Sequence, residues 1–322
     1  MMRKAVLTVL LASMTFAANV SAQPAYPDKP IRLLVGFPPG SSADSVARWL
    51  GQGLAEVLEQ PVVVENVLGA GGNIAADHLS KAAPDGYTLA ILGEGQLVIN
   101  PSLYKLRYDP RRDFAPISQV AVTPNVLVVP PSVPVRSVTE LVALARAQPG
   151  ALTFASGGSG SSPHVTAELF KTLAGIDIRH IPYKGVVAAI PDLLAGRVTM
   201  MFSPAAIVLP LVRDGKLRAL AVTSPRRSPA APALPTLAES GFPAFEFTAW
   251  YGLLAPAGTP AGIIRRLHAA AGKALASREL HEKMSEAGLE PIGNSPDDFA
   301  AIINAEIPRW ASVIREAGIK AD

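Results

Sequence analysis

Short apolar runs alternate with segments of helical period along nearly the whole chain, and this alternation limits the fold more than any other feature. Residues 31–37, 61–64 and 87–92 read as strands. Between them, Val46, Trp49, Leu50, Leu54, Val57 and Leu58 mark one helix, and residues 74–82 a second. Strands at 117–122 and 126–129 follow. A fresh set of units then begins at Ser137-Val138-Thr139-Glu140, a capping box for the helix 141–147. Strands at 152–155, 178–181, 198–202 and 218–222 are separated by helices at 165–173, 186–194 and 207–212. Short links of this kind call for parallel sheets covered by helices on both faces.

The last third departs from the alternation. Four prolines between 225 and 235 read as a rigid surface loop, and residues 247–255 as a strand that returns to the first unit. Thr259-Pro260 opens a helix that runs to residue 275. Ser295-Pro296-Asp297-Asp298 opens the final helix, which Pro308 is expected to bend.

Two of the strand-to-helix loops share a design. Pro38-Pro39-Gly40-Ser41-Ser42-Ala43-Asp44 follows the first strand, and Ser156-Gly157-Gly158-Ser159-Gly160-Ser161-Ser162-Pro163-His164 follows the strand 152–155. The first N–H groups of a helix have no internal partner and together carry roughly half a positive charge. Glycine lets that backbone approach a ligand, and serine adds hydroxyl donors. Each loop is therefore a seat for a carboxylate or small oxyanion. Two such seats on separate units suggest a cleft with one on each wall.

The chain of 322 residues is long enough for about two domains. Arg3 and Lys4 precede an apolar stretch, 5–20, that ends at Val20-Ser21-Ala22. This has the form of a cleavable signal peptide, 1–22, and the stretch is short of the roughly 20 residues of a membrane span. Arg3 and Lys4 supply two of the formal +3 charges, so the mature chain carries about +1. Arg111-Arg112 and Arg226-Arg227 have no aromatic platform around them, and no nucleic-acid partner is expected. An exported chain without cysteine draws its stability from packing alone, which fits a bacterial periplasm.

Taken in order, several stretches resemble the Bug-type periplasmic solute-binding receptors of tripartite tricarboxylate transporters. They include Tyr26-Pro27 through Asp44, Glu65-Asn66 with Gly69-Ala70-Gly71-Gly72, and Pro84-Asp85-Gly86-Tyr87-Thr88. Tyr108-Asp109-Pro110, Ser156 to His164, Ile181-Pro182-Tyr183-Lys184-Gly185, Asp192-Leu193-Leu194-Ala195-Gly196 and Trp250-Tyr251-Gly252 continue the match. The resemblance implies an α/β, two-domain periplasmic binding protein of type II-like form, each domain a mostly parallel sheet flanked by helices. Domain 1 would comprise 23–123 plus 249–322, and domain 2 residues 124–248, joined by two crossing segments. A small organic anion would lie in the cleft, be held partly through water, and pass to membrane permease subunits. The receptor would be a monomer, without cofactor, metal or catalytic residue. The chain departs from the family where Val67-Leu68, Ser41, Glu94 and Ser203 stand in place of a basic residue with proline, glycine, threonine and aspartate.

The candidate ligand-binding residues are Pro38, Gly40, Ser41, Ser42, Ala43, Asp44, Glu94, Ser156, Gly158, Ser159, Gly160, Ser161, His164, Tyr183 and Ser203. His164 either points a ring nitrogen at the ligand or packs locally. Asp44 either fixes its loop or binds an amino group of the ligand. Glu94, if it faces the cleft, should repel a second carboxylate and favour a cationic or hydrogen-bond-donating group; if it faces water it says nothing. An exported hydrolase or a ligand sensor using the same cleft is the rival reading. Against a hydrolase, Gly157-Gly158-Ser159 is followed by Ser161 where a G-x-S-x-G elbow needs glycine. Dinucleotide fingerprints fail likewise at Ile74 and Pro163, and the five histidines show no metal-ligand spacing.

Overall fold

The computed structural model describes residues 26–320, so the expected signal peptide, 1–22, lies outside the described residues. The first lobe opens with β1 (Ile31–Val35), α1 (Ser42–Leu58), β2 (Val62–Asn66), α2 (Asn73–Ser80), β3 (Thr88–Gly93) and β4 (Phe114–Thr123). The second holds β5 (Asn125–Val129), α3 (Val138–Ala147), β6 (Thr153–Ser156), α4 (Ser162–Ala174), β7 (Arg179–Pro182), α5 (Val186–Leu194), β8 (Met200–Pro204), α6 (Ala205–Arg213) and β9 (Arg218–Val222). The chain then returns through β10 (Ala249–Pro256), α7 (Ala261–Leu275), α8 (Arg278–Glu286), β11 (Glu290–Pro291) and α9 (Pro296–Glu316).

The strands form two sheets, ordered β11-β4-β10-β3-β1-β2 and β7-β6-β8-β5-β9. The strand–helix–strand units pair in parallel, as β1 with β2 and β3, and β6 with β7 and β8. The remaining pairs are antiparallel: β10 lies between β3 and β4, β11 beside β4, and β5 between β8 and β9. Both sheets are therefore mixed. Apolar alternation reports a buried strand, but not the direction of one that enters without a crossover helix.

The local signals explain most elements. Ser41 caps α1 by accepting from the Asp44 N–H, and Val46, Leu50, Leu54 and Leu58 bury one face. In the capping box of α3, Ser137 accepts from the Glu140 N–H as expected. Glu140 reaches one residue further back and accepts from the Arg136 N–H. Along α4, Val165 and Phe170 are fully buried, whereas Leu173 is 41% exposed, so the buried stripe turns towards Ala167 and Ala174. Helix α9 continues through Pro308. Helix α8 has only Leu280 and Met284 buried, too sparse a stripe to mark it in the sequence.

The two crossings between sheets lie side by side. β4 ends at Thr123, β5 begins at Asn125, and Thr123 pairs with Ala249 at the start of β10. The Thr223 hydroxyl accepts from the Asn125 N–H at 2.8 Å, and the Thr223 carbonyl accepts from the Phe247 N–H at 3.0 Å. Within β10, Gly252 leaves room for the ring of Phe299 on α9. A Cβ there would lie 2.0 Å from the ring. Gly252→Ala should cost about 1–3 kcal/mol by overpacking, measurable as a lower urea midpoint with an unchanged slope.

Candidate functional site

The loop after β1 is held from behind. The Asp44 carboxylate accepts from the Gly40 N–H at 3.0 Å, from Asn66 Nδ2 at 2.9 Å and from Arg48. Burial pushes this carboxyl up, but those donors from Arg48, Asn66 and Gly40 outweigh it and hold Asp44 below the usual carboxylate range. Asn66 also donates to the Phe37 carbonyl. The backbone at Ser42 and Ala43, where α1 begins, is thereby presented to the interior. The Ser42 Oγ is buried, beside the Tyr251 hydroxyl.

The loop after β6 is pinned on the other wall. Ser156 Oγ accepts from the Gly158 N–H and lies 2.6 Å from His180 Nε2. The Ser161 hydroxyl donates to the Gly158 carbonyl at 2.6 Å. Ser161 stands at the N-cap of α4 but makes no side-chain cap bond, so the first turn of that helix is not closed by its own cap. His164 accepts from the Gly160 N–H and stacks on His180, with ring centroids 4.3 Å apart.

These loops meet. Tyr104 donates to the Ser159 carbonyl at 2.9 Å, and a Cβ on Gly160 would lie 2.2 Å from Asn100 Oδ1. Between them is a cavity of about 60 Å³, lined on one side by Phe37, Pro38, Ser41, Ser42 and Ala43, with Gly93, Glu94, Gly95, Gln96 and Tyr251. The facing wall is Gly157, Ser161, Ser162, Pro163, Gly185, Val186, Pro204 and Ile207. That space holds about four or five waters or one small solute. A wider groove bordered by Trp49, Val187, Ile190 and Leu211 adjoins it, sharing Ser42 and Ile207.

Glu94 follows β3 and faces this cavity while only 5% exposed. Its Oε2 accepts from the Trp250 N–H at 3.0 Å. Burial pushes its carboxyl up to about 7; the Trp250 N–H opposes this and the Glu306 carboxylate adds to it. The Trp250 indole N–H donates to Glu306 at 2.9 Å. Among the described residues, no group of three or more His, Asp or Glu is placed to hold a metal, and no helix is long and apolar enough to cross a membrane.

Residues 46–319 match the family described as tripartite tricarboxylate transporter family receptor. The chain belongs to that family. This receptor is 41% identical over 318 residues to protein BugT of Bordetella pertussis, covering 98% of this chain and 97% of that one. Rpa4515 of R. palustris, solved with adipate, has a TM-score of 0.89 at 38% identity, over 92% of this chain and 100% of its own. MatC of Rhodopseudomonas palustris, solved with bound malate, has a TM-score of 0.85 at 32% identity, over 90% of this chain and 100% of its own. The receptor has the two-domain α/β periplasmic binding-protein fold of these relatives.

The structure brings some of the residues singled out in the sequence into the cavity of this receptor and sets others behind it. Pro38, Ser41, Ser42, Ala43, Glu94 and Ser161 line it. Gly40 borders the adjoining groove, and Asp44 fixes the loop. Ser156, Gly158 and His164 shape the second loop from outside the lining, while Ser159 and Gly160 meet the opposite wall at Tyr104 and Asn100. Tyr183 donates to Asp192 at 2.7 Å, and Ser203 is buried one residue before Pro204, which does line the cavity. Tyr251, Gln96 and Val186 line the receptor's cavity and carry no signal of it in the sequence. Tyr251 reaches Glu94 only because β10 pairs with β3 at Gly93.

Proposed function

We propose that this receptor closes its two domains, 23–123 plus 249–322 and 124–248, around one small carboxylate-bearing solute and passes it to membrane permease subunits. Backbone N–H groups at the start of α1 and α4 hold the carboxylate, with the hydroxyls of Ser41 and Ser42 assisting and Ser161 holding its own loop through the Gly158 carbonyl. Gly40, Asp44, Ser156, Gly158, Ser159, Gly160 and His164 shape the two seats. The chain works as a periplasmic monomer after removal of residues 1–22, without cofactor, metal or chemistry on the solute.

One observation carries this reading. Two helix N-termini from different lobes, those of α1 and α4, border one space, where their first N–H groups have no partner inside their own helices. Malate and adipate in the related structures add weight to a carboxylate. The test is a carboxylic-acid library in a thermal-unfolding screen. A true ligand at 100 times its dissociation constant adds about 2.7 kcal/mol. If no carboxylate stabilises the protein and none co-purifies by mass spectrometry, the reading fails.

A further inference from the structure

The cavity holds a charge of its own. Among the described residues lining it, Glu94 is the one carboxylate, and no lysine, arginine or histidine is there to balance it. The side chain is fixed: Oε2 is bonded to the Trp250 N–H, and Trp250 is in turn tied to Glu306 through its indole. The Ser162 hydroxyl, at the first turn of α4, lies beside Glu94 and favours its charged form. Part of the positive field of that helix terminus is therefore already answered by Glu94. In this narrow part of the cleft, about 60 Å³, a solute group seated between the two helix N-termini lies in the same small space as this carboxylate.

Resting on the receptor reading above, we infer that Glu94 selects a solute bearing one carboxylate together with an ammonium or other strong hydrogen-bond donor, an amino-carboxylic acid in charge pattern, and disfavours dicarboxylates. A single carboxylate can use the N–H groups at Ser42, Ala43 and Ser162. A second would face Glu94 in a water-poor site with no cation, where like charges repel strongly. An ammonium in the same place gains a charge-assisted hydrogen bond to Glu94.

The test is calorimetry at pH 8 with unbranched amino-carboxylic acids and dicarboxylic acids of two to six carbons, on the full chain and on Glu94→Gln. The amide keeps an oxygen for the Trp250 N–H. The best amino-acid is expected to bind at least tenfold tighter than the best diacid, and Glu94→Gln to shrink that ratio at least tenfold. A pH series on the unaltered protein decides the matter without the variant. From pH 8 to 6.5, diacid affinity should rise severalfold relative to amino-acid affinity as Glu94 takes up a proton. Of the other groups near Glu94, Glu306 is bonded to Trp250, the Tyr251 phenol is pushed further up by burial, Asp44 is bonded to Arg48, and His164 accepts from the Gly160 N–H. Diacids binding as tightly as amino-acids at pH 8, or a ratio that neither the variant nor pH moves, overturns this inference and leaves the receptor reading standing. Binding of no compound by either protein overturns this inference, while the receptor reading falls only if the wider carboxylic-acid library also fails.

Discussion

Gly160→Val is expected to weaken solute binding about a hundredfold, or about 2.7 kcal/mol, while the protein stays folded. Gly160 sits at φ +78°, where a branched side chain costs about 1–2 kcal/mol. The larger effect is between domains. A Cβ at this position would meet Asn100 Oδ1 at 2.2 Å and Tyr104 at 3.1 Å, both on the opposite wall. Asn100 is buried, and its Nδ2 is bonded to Asn73, so it cannot swing aside. Closure of a two-domain cleft depends on such contacts forming together. Removing the obstructing atom with Asn100→Ala in the same protein should restore at least tenfold of the lost affinity. Calorimetry gives the affinities, and small-angle scattering shows whether the variant still contracts with ligand. Unchanged affinity in Gly160→Val would mean that this contact is no part of the bound state.

Glu94→Gln is expected to stabilise the ligand-free protein by about 2–3 kcal/mol more at pH 8 than at pH 5. The carboxyl titrates near 7 in the fold, against an ordinary value of 4.5. Between those values the folded protein holds a proton that the unfolded chain has released. Stability contributed by this group is thus full at low pH and is lost as pH rises through 7. Glutamine has no proton to lose, and Glu306 is present in both proteins, so the difference isolates Glu94. Urea unfolding of both proteins at the two pH values measures it. Parallel pH profiles would show that Glu94 is not buried in the charge-poor setting described above. The same buried charge that disfavours a second carboxylate would then be absent.

Much of this was legible before any tertiary contact was known. The two Gly-Ser loops, the strands before them and the helices after them are local features, set by φ preferences, capping and apolar period. Ser41 caps α1, and Ser42 and Ala43 open it, one turn ahead of the apolar positions that mark the helix in the sequence. Asp44, read as a loop anchor or a ligand contact, is bonded to Gly40, Arg48 and Asn66. The direction of β10 was not legible, nor was the presence of α8, whose face is nearly all polar.

The repeated strand–helix unit and the family are written in residues close together in the chain, and local spacing alone reports them. That Glu94, Tyr251 and Val186 line the cavity, and that Ser159 and Gly160 touch the far wall instead, emerges from the folded contacts. Those facts depend on strand pairing and domain contact between segments far apart in sequence. A side chain's own neighbours along the chain carry no record of which distant surface will fold against it.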